Sequence, residues 1–370
     1  MADTRAPAPR LRSLDALRGF DMLWIVGLAA LFRQLAKVTE ISWLDAVSAQ
    51  LTHVDWEGLR AYDLVFPLFM FLAGMSVPYS LRPKLERGIS RAGLLAGVWK
   101  RAAVLVLLGI VYNDGLQFEF ADQRYASVLG QIGIAYGIAA SIFVLTKTWK
   151  GRVAGCAVIL FGIAGLQLLF PVPGHGAGVL TPEGIVNGWI DRALLPGKLY
   201  GGSFDPEGWL CAVSAAALTL GGVIAGDYVR GWGGPSYTAA SRMLIAGTGL
   251  LFAGWLCWQF GYPPIKAAWN STFNLLAGGI CTWLFVVFYL LIEFKPDTRW
   301  SFPFEVVGMN PLTIYLGARI ISFPEVSAFF FGGVAGRCGD WGVVVLAAGV
   351  LLIEWLILWY LWRKKTFLRV

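Results

Sequence analysis

Long apolar runs, most about as long as a helix needs to cross a bilayer, recur along the chain between short polar connections. The pattern predicts membrane helices over 17–36, 62–81, 99–113, 126–146, 153–171, 207–229, 242–261, 271–293, 303–323 and 340–362. The expected fold class is all-α, a polytopic membrane protein of about ten transmembrane helices. It would form one domain over 1–370, with a polar tail at 1–13 and one long connection at 172–206. The third run opens on Lys100 and Arg101, whose stems can snorkel toward headgroups. The ninth is interrupted by Glu305, Asn310, Pro311 and Arg319. No small-residue cleavage site follows the polar N-terminal segment, so the first run reads as an uncleaved helix. No internal repeat or low-complexity segment stands out.

Composition strengthens this reading. Hydrophobic residues make up 57% of the 370 and charged ones 14%, with a mean hydropathy of +0.64. A soluble domain carries about 25% charged residues, so soluble, disordered and nucleic-acid-binding classes are excluded despite the net charge of +7. Placement of charge gives orientation. Twenty of the thirty Lys and Arg fall in the two tails and the connections after even-numbered helices, against eight in the opposite connections. By the positive-inside rule both termini are cytoplasmic, and 172–206 is external. Acidic residues lean outward, among them Asp55, Glu57, Asp114, Asp205 and Glu207. Four of the five cysteines lie in apolar runs and no spacing suits zinc, so neither a disulfide framework nor a metal site is expected.

Candidate chemistry is sparse. His175 lies in the turn-rich PVPGHGAG and reads as an exposed loop residue. His53 stands outside the second helix with Asp55, Trp56, Glu57 and Asp63 close in sequence. An imidazole exchanges protons near neutrality and a carboxylate can orient it; an interfacial helix-capping histidine is the alternative. Asp15, Arg18 and Asp21 share one helix face, either as a local ion pair or as a phosphate-binding arginine held by a carboxylate. Six basic residues at 82–101 fit the positive-inside signal or a polyanionic cytosolic ligand. Asp205-Pro206-Glu207-Gly208 suits a helix start, and Gly308-Met309-Asn310-Pro311 suits a helix broken beside a cavity. P-loop, zinc-protease and α/β-hydrolase signatures are lacking.

Short blocks carry a resemblance over nearly the whole chain. They are Arg12-Ser13-Leu14-Asp15-Ala16-Leu17-Arg18-Gly19, His53-Val54-Asp55-Trp56-Glu57-Gly58, Asp63-Leu64-Val65-Phe66-Pro67 and Tyr125-Ala126-Ser127-Val128-Leu129. Phe170-Pro171-Val172-Pro173-Gly174, Ile190-Asp191-Arg192, Asp205-Pro206-Glu207-Gly208, Pro264-Ile265-Lys266 and Gly308-Met309-Asn310 follow in order. Together they resemble the heparan-α-glucosaminide N-acetyltransferase-like transmembrane acetyltransferases, especially their bacterial DUF5009 branch. The resemblance implies acetyl transfer from cytosolic acetyl-CoA to the amine of a glucosamine-type sugar or glycan across the bilayer. It also implies a bacterial cytoplasmic membrane and a homodimer, with no metal and no nucleic acid.

On this resemblance His53 is the essential histidine, oriented by Asp63 or Asp55. Asp15, Arg18, Arg101, Gln131 and Asn310 are expected at the coenzyme, and Asp55, Trp56, Glu57, Asp205 and Glu207 at the acceptor. Three positions depart from the family pattern: Ala29 and Glu57 stand where it has asparagine, and Gly130-Gln131 replaces a Gln-Arg pair. These departures bear on the substrate more than on the fold. A transporter of sugars or cell-wall fragments and an O-acyltransferase of envelope glycans are the alternatives.

Overall fold

The computed structural model describes residues 11–119, 122–295 and 298–368. Most of the expected tail at 1–13 therefore lies outside the described residues. Those described form an all-α membrane protein without a β-strand, carrying only three isolated bridges. Eight of their helices are long and apolar enough to cross a bilayer, nine if one bent pair counts as a single span.

The first expected span is helical throughout but interrupted. Helix α1 (Arg12–Leu23) passes through a π-turn at Trp24–Leu28 into α2 (Ala29–Thr39). Asp15 and Asp21 of α1 are buried within the protein rather than offered to lipid. The short α3 (Ser42–Gln50) then leads along the end of the bundle expected to face outward.

Four helices follow: α4 (Val65–Glu86), α5 (Arg91–Tyr112), α6 (Val128–Leu145) and α7 (Trp149–Leu169). The expected loop at 172–206 contains α8 (Val186–Leu194), and α9 (Trp209–Gly231), α10 (Tyr237–Gln259) and α11 (Ser271–Ile292) come next. Helices α4, α6, α9 and α11 form the centre. Hydrophobicity alone does not hold helices together in lipid, so close backbone approach matters. Any side chain at Gly74 of α4 would strike the Thr219 carbonyl, and one at Gly222 of α9 would strike that of Phe71.

The expected ninth span is corrected. In its place stand α12 (Phe302–Gly308), α13 (Pro311–Ile320) and α14 (Phe323–Ala335), before the final α15 (Gly342–Arg363). Pro311 has no N–H to continue α12. Helices α13 and α14 meet at a bend of 78°. Helix α12 packs directly on α1, where a side chain at Gly19 or Gly308 would collide with the partner backbone.

Candidate functional site

At the end of the bundle expected to face outward, Asp63 is fully buried in a 3-10 turn, Ala61–Leu64, at the head of α4. One of its oxygens accepts from the backbone N–H of Arg60 at 3.0 Å and Val54 at 3.4 Å. The other lies 2.7 Å from His53 Nδ1. With Nδ1 carrying its proton toward this carboxylate, Nε2 is the acceptor nitrogen. The imidazole is half exposed, leans on Tyr62 with ring centroids 4.9 Å apart, and has its backbone carbonyl held by Arg60 at 3.0 Å. A buried carboxylate thus orients a ring whose other nitrogen can face solvent.

A third group joins them. Lys266 Nζ lies 2.9 Å from His53 Nδ1 and 3.3 Å from Asp63 Oδ1. Its turn is built rigidly. Asn270 Oδ1 accepts from Ile265 N at 3.1 Å and its amide donates to Pro263 O at 2.6 Å. The buried Trp269 takes a left-handed conformation, φ 43°, with its carbonyl bonded by Ser214 and Asn274. An antiparallel bridge between Glu57 and Ile265, with Gly58 N donating to Pro264 O at 2.9 Å, lays this turn against the His53 block. Burial carries the Lys266 ammonium below its ordinary pKa, and the nearby Asp63 and Glu207 charges offset only part of that.

Beside this cluster, Arg124 donates through Nε and Nη2 to the two oxygens of Asp205, at 2.8 and 2.6 Å, and also to Glu207. Asp205 is fully buried and Glu207 nearly so. Burial pushes the Glu207 carboxyl above its ordinary pKa despite Arg124. Below them the buried Asp191 of α8 accepts from Trp209 N at 3.0 Å and Asp205 N at 3.4 Å, capping the start of α9. Burial pushes its carboxyl up to about 6, more than these bonds offset.

A cavity of about 370 Å³ enters the bundle between α1, α4, α5, α6 and α13. Arg18, Ser76 and Arg101 line its inner part, and Phe66, Val128 and Leu129 its outer part. Ser76 lies eleven residues into α4, about 16 Å along the helix from its outer end. Arg18 donates to Ser76 Oγ at 2.9 Å and pairs with Asp15 at 3.3 Å. Arg101 lies over the Tyr136 ring, 4.5 Å from its centroid. Two guanidiniums at one end and apolar or aromatic walls along the rest suit a long ligand with an anionic head and a slender apolar arm. Phe66, on the outer wall, is three residues from Asp63.

Two known proteins are similar to this chain in sequence. The chain is 25% identical over 378 residues to heparan-alpha-glucosaminide N-acetyltransferase of Homo sapiens and 24% over 382 to that of Mus musculus. The chain is a distant homologue of these acetyltransferases. The alignments take in 84% and 86% of this chain but 53% and 54% of the relatives, so it spans about half their length. No family model matches the chain.

The expected residues fall into distinct positions in this homologue. His53 and Asp63 meet, and Arg18 and Arg101 face one cavity. Asp15 stands behind Arg18. Gln131 is buried and turned toward α9, where its amide donates to Cys211 O at 3.2 Å, so it is off the cavity wall. Asn310, also buried, binds the C-terminal segment, donating to Thr366 O at 2.9 Å and accepting from Leu368 N at 3.2 Å. Trp56 anchors the outer loop through Leu180 O at 2.7 Å and an edge contact with Phe204. Asp55 and Glu57 are exposed, whereas Asp205 and Glu207 are committed to Arg124 rather than open to a ligand. No cluster of three or more metal-ligating side chains occurs among the described residues. Lys266 and Arg124 escaped the sequence reading as site residues; the only signal was a cation in each of two acidic outer segments.

Proposed function

We propose that the protein is a transmembrane acetyltransferase that takes acetyl groups from cytosolic acetyl-CoA and delivers them to the amine of a glucosamine-type sugar outside. The supporting observation is the cavity that begins at Arg18 and Arg101 and reaches Phe66 beside the His53–Asp63 pair. Arg18, Arg101 and Ser76 receive the coenzyme's phosphates, and the apolar walls take its pantetheine arm. The coenzyme supplies a thioester, an acyl group already activated toward amines.

The chain's own groups handle the protons. His53 Nε2 accepts the proton that the sugar amine must lose to become a nucleophile, and passes it to the departing thiolate. Asp63 holds the tautomer and the ring orientation. Lys266 shares the Asp63 carboxylate and fixes its position. A covalent acetyl-imidazole at Nε2 uses the same geometry. The bacterial cytoplasmic membrane is the proposed location.

Purified protein given acetyl-CoA and glucosamine is expected to release coenzyme A thiol and form N-acetylglucosamine. Thiol release unaltered in His53→Ala would sink the catalytic assignment, and no release with any amino sugar would sink the enzyme. One observation favours a carrier instead: Asp21 and Glu354, buried in α1 and α15, each keep one oxygen without a hydrogen-bond partner. Ionisable groups inside a bundle commonly mark a transport path. Counterflow uptake of sugar in proteoliposomes without acyl donor would support that reading. Competition between amine and hydroxyl acceptors separates N- from O-acylation.

A further inference from the structure

A second cavity, about 550 Å³, opens at the outer end of α5 and is separate from the His53 cluster. Its volume lies within the roughly 300–1,000 Å³ of small-ligand sites. Arg124 and Tyr200 form one wall, the guanidinium 4.8 Å from the ring centroid. Arg319 and Tyr112 form another, with Arg319 also paired to Asp114. Glu119, Asp122 and Lys198 stand exposed around the rim.

Two contacts connect this cleft to the proposed reaction. Tyr112, in the cleft, stacks on Tyr315, in the inner cavity, with centroids 4.8 Å apart and planes 13° apart. One aromatic pair therefore lies between the two spaces. Arg124, in the cleft, binds Glu207, whose carboxylate also feels Lys266 beside His53.

We propose that this outer cleft binds the acceptor as an oligosaccharide of amino sugars. The cleft holds the units that follow the reacting one, which run along Tyr200, Glu119, Asp122 and Lys198. The exposed Tyr200 ring offers a flat face to the apolar side of a sugar ring, and the tyrosine hydroxyls and the charged groups match sugar hydroxyls. Glu119 and Asp122 add charge-assisted acceptors for ammonium groups. The polar wall does not suit an acyl chain, and the two rim carboxylates oppose a polyanion. The proposal rests on the acetyltransferase reading for its reacting unit and on the cleft alone for binding.

The test compares glucosamine with its β-1,4-linked trimer, in the wild type and in a Glu119→Gln, Asp122→Asn double variant. Both positions are exposed, so the variant is expected to fold. Wild-type kcat/KM should favour the trimer by about tenfold, the effect of one charge-assisted contact. The double variant should bring that ratio close to one, chiefly through KM. Calorimetric binding of the trimer without acyl donor should weaken about tenfold in parallel, and the fully N-acetylated trimer should bind more weakly than the free amine. Equal kcat/KM for both acceptors in the wild type, or an unchanged ratio in the variant, overturns the proposal. If neither acceptor is acetylated, binding decides. Trimer binding that the variant weakens keeps the cleft while sinking acetyl transfer, and no trimer binding overturns the cleft.

Discussion

Lys266 Nζ sits 2.9 Å from His53 Nδ1 across 213 residues of sequence, and both face the single carboxylate of Asp63. One carboxylate thus serves both side chains, and the Lys266 charge acts on the group that orients His53. Burial already places Lys266 below its ordinary value of 10.5. As pH rises through that lowered value, Lys266 loses its charge and Asp63 loses a cationic partner. The pH profile of kcat/KM should therefore fall on an alkaline limb below the ordinary lysine range. In Lys266→Met that limb should vanish, with kcat reduced about tenfold or more, a typical cost of losing a group that positions a general base. Lys266→Arg should retain charge but not geometry and recover little. A limb that persists in Lys266→Met would assign it to another group.

The sequence made some of this legible. His53 and Asp63 are ten residues apart, and their pairing needs only the local turn at Ala61–Leu64. Apolar runs located α4, α6, α9, α11 and α15 closely, because lipid and core both demand unbroken hydrophobicity there. The 303–335 region was less legible. Its apolar content continues through two backbone breaks, marked in the letters only by Pro311 and Pro324 in the first turns of α13 and α14. Lys266 and Arg124 were hidden for a different reason. Each becomes a site residue through a distant partner, Glu57–Gly58 for the Lys266 turn and Asp205–Glu207 for Arg124, and no periodicity encodes such contacts.

Arg18 and Arg101 give the inner cavity its positive end, yet they are held differently. Arg18 is fixed by Asp15 and Ser76, and Arg101 rests on Tyr136. Removing either charge should act on binding of the donor rather than on the chemical step. Arg101→Ala should raise KM for acetyl-CoA about tenfold or more, the worth of a charge-assisted contact to phosphate. Its kcat should change little. Arg18→Ala should do the same and also leave the buried Asp15 without that partner, lowering yield of folded protein. Initial rates over a range of acetyl-CoA concentrations, with thermal melting in detergent, distinguish the two. A fall in kcat with KM constant would place Arg101 away from the donor.

Asp191 provides a pH test that does not need activity. Its carboxyl titrates near 6 in the folded protein against an ordinary 3.8, so the folded state favours its protonated form. The stability this group contributes is complete below 3.8 and is lost as pH rises through about 6. Melting temperature should thus fall from pH 4 to pH 7, and Asp191→Asn, which mimics the protonated acid, should flatten that part of the curve. Gly208→Ala gives a steric counterpart, since its methyl group would collide with the Asp191 carboxylate. A cost of about 1–3 kcal/mol is expected from such overpacking. A wild-type curve that rises over this interval would contradict the assignment.

Arg124 joins the outer cleft, the start of α9 and the carboxylates near Lys266. It is the charged partner of both Asp205 and Glu207, and the Asp205 side chain is wholly out of solvent. Truncation leaves two buried carboxylates facing each other, a situation that typically costs about 3–5 kcal/mol for a fully buried pair. Because the Arg124 side chain is 21% exposed, the lower part of that range is expected. Arg124→Leu should therefore lower the melting temperature and the amount of folded protein at pH 7. The loss should be smaller in acid, where the orphaned carboxylates can protonate, and Glu207 is already raised in that direction by burial. Adding Asp205→Asn and Glu207→Gln to Arg124→Leu should restore much of the stability by removing the stranded charges. Arg124→Leu as stable as wild type at neutral pH would show that the cluster is solvated enough to dispense with its cation.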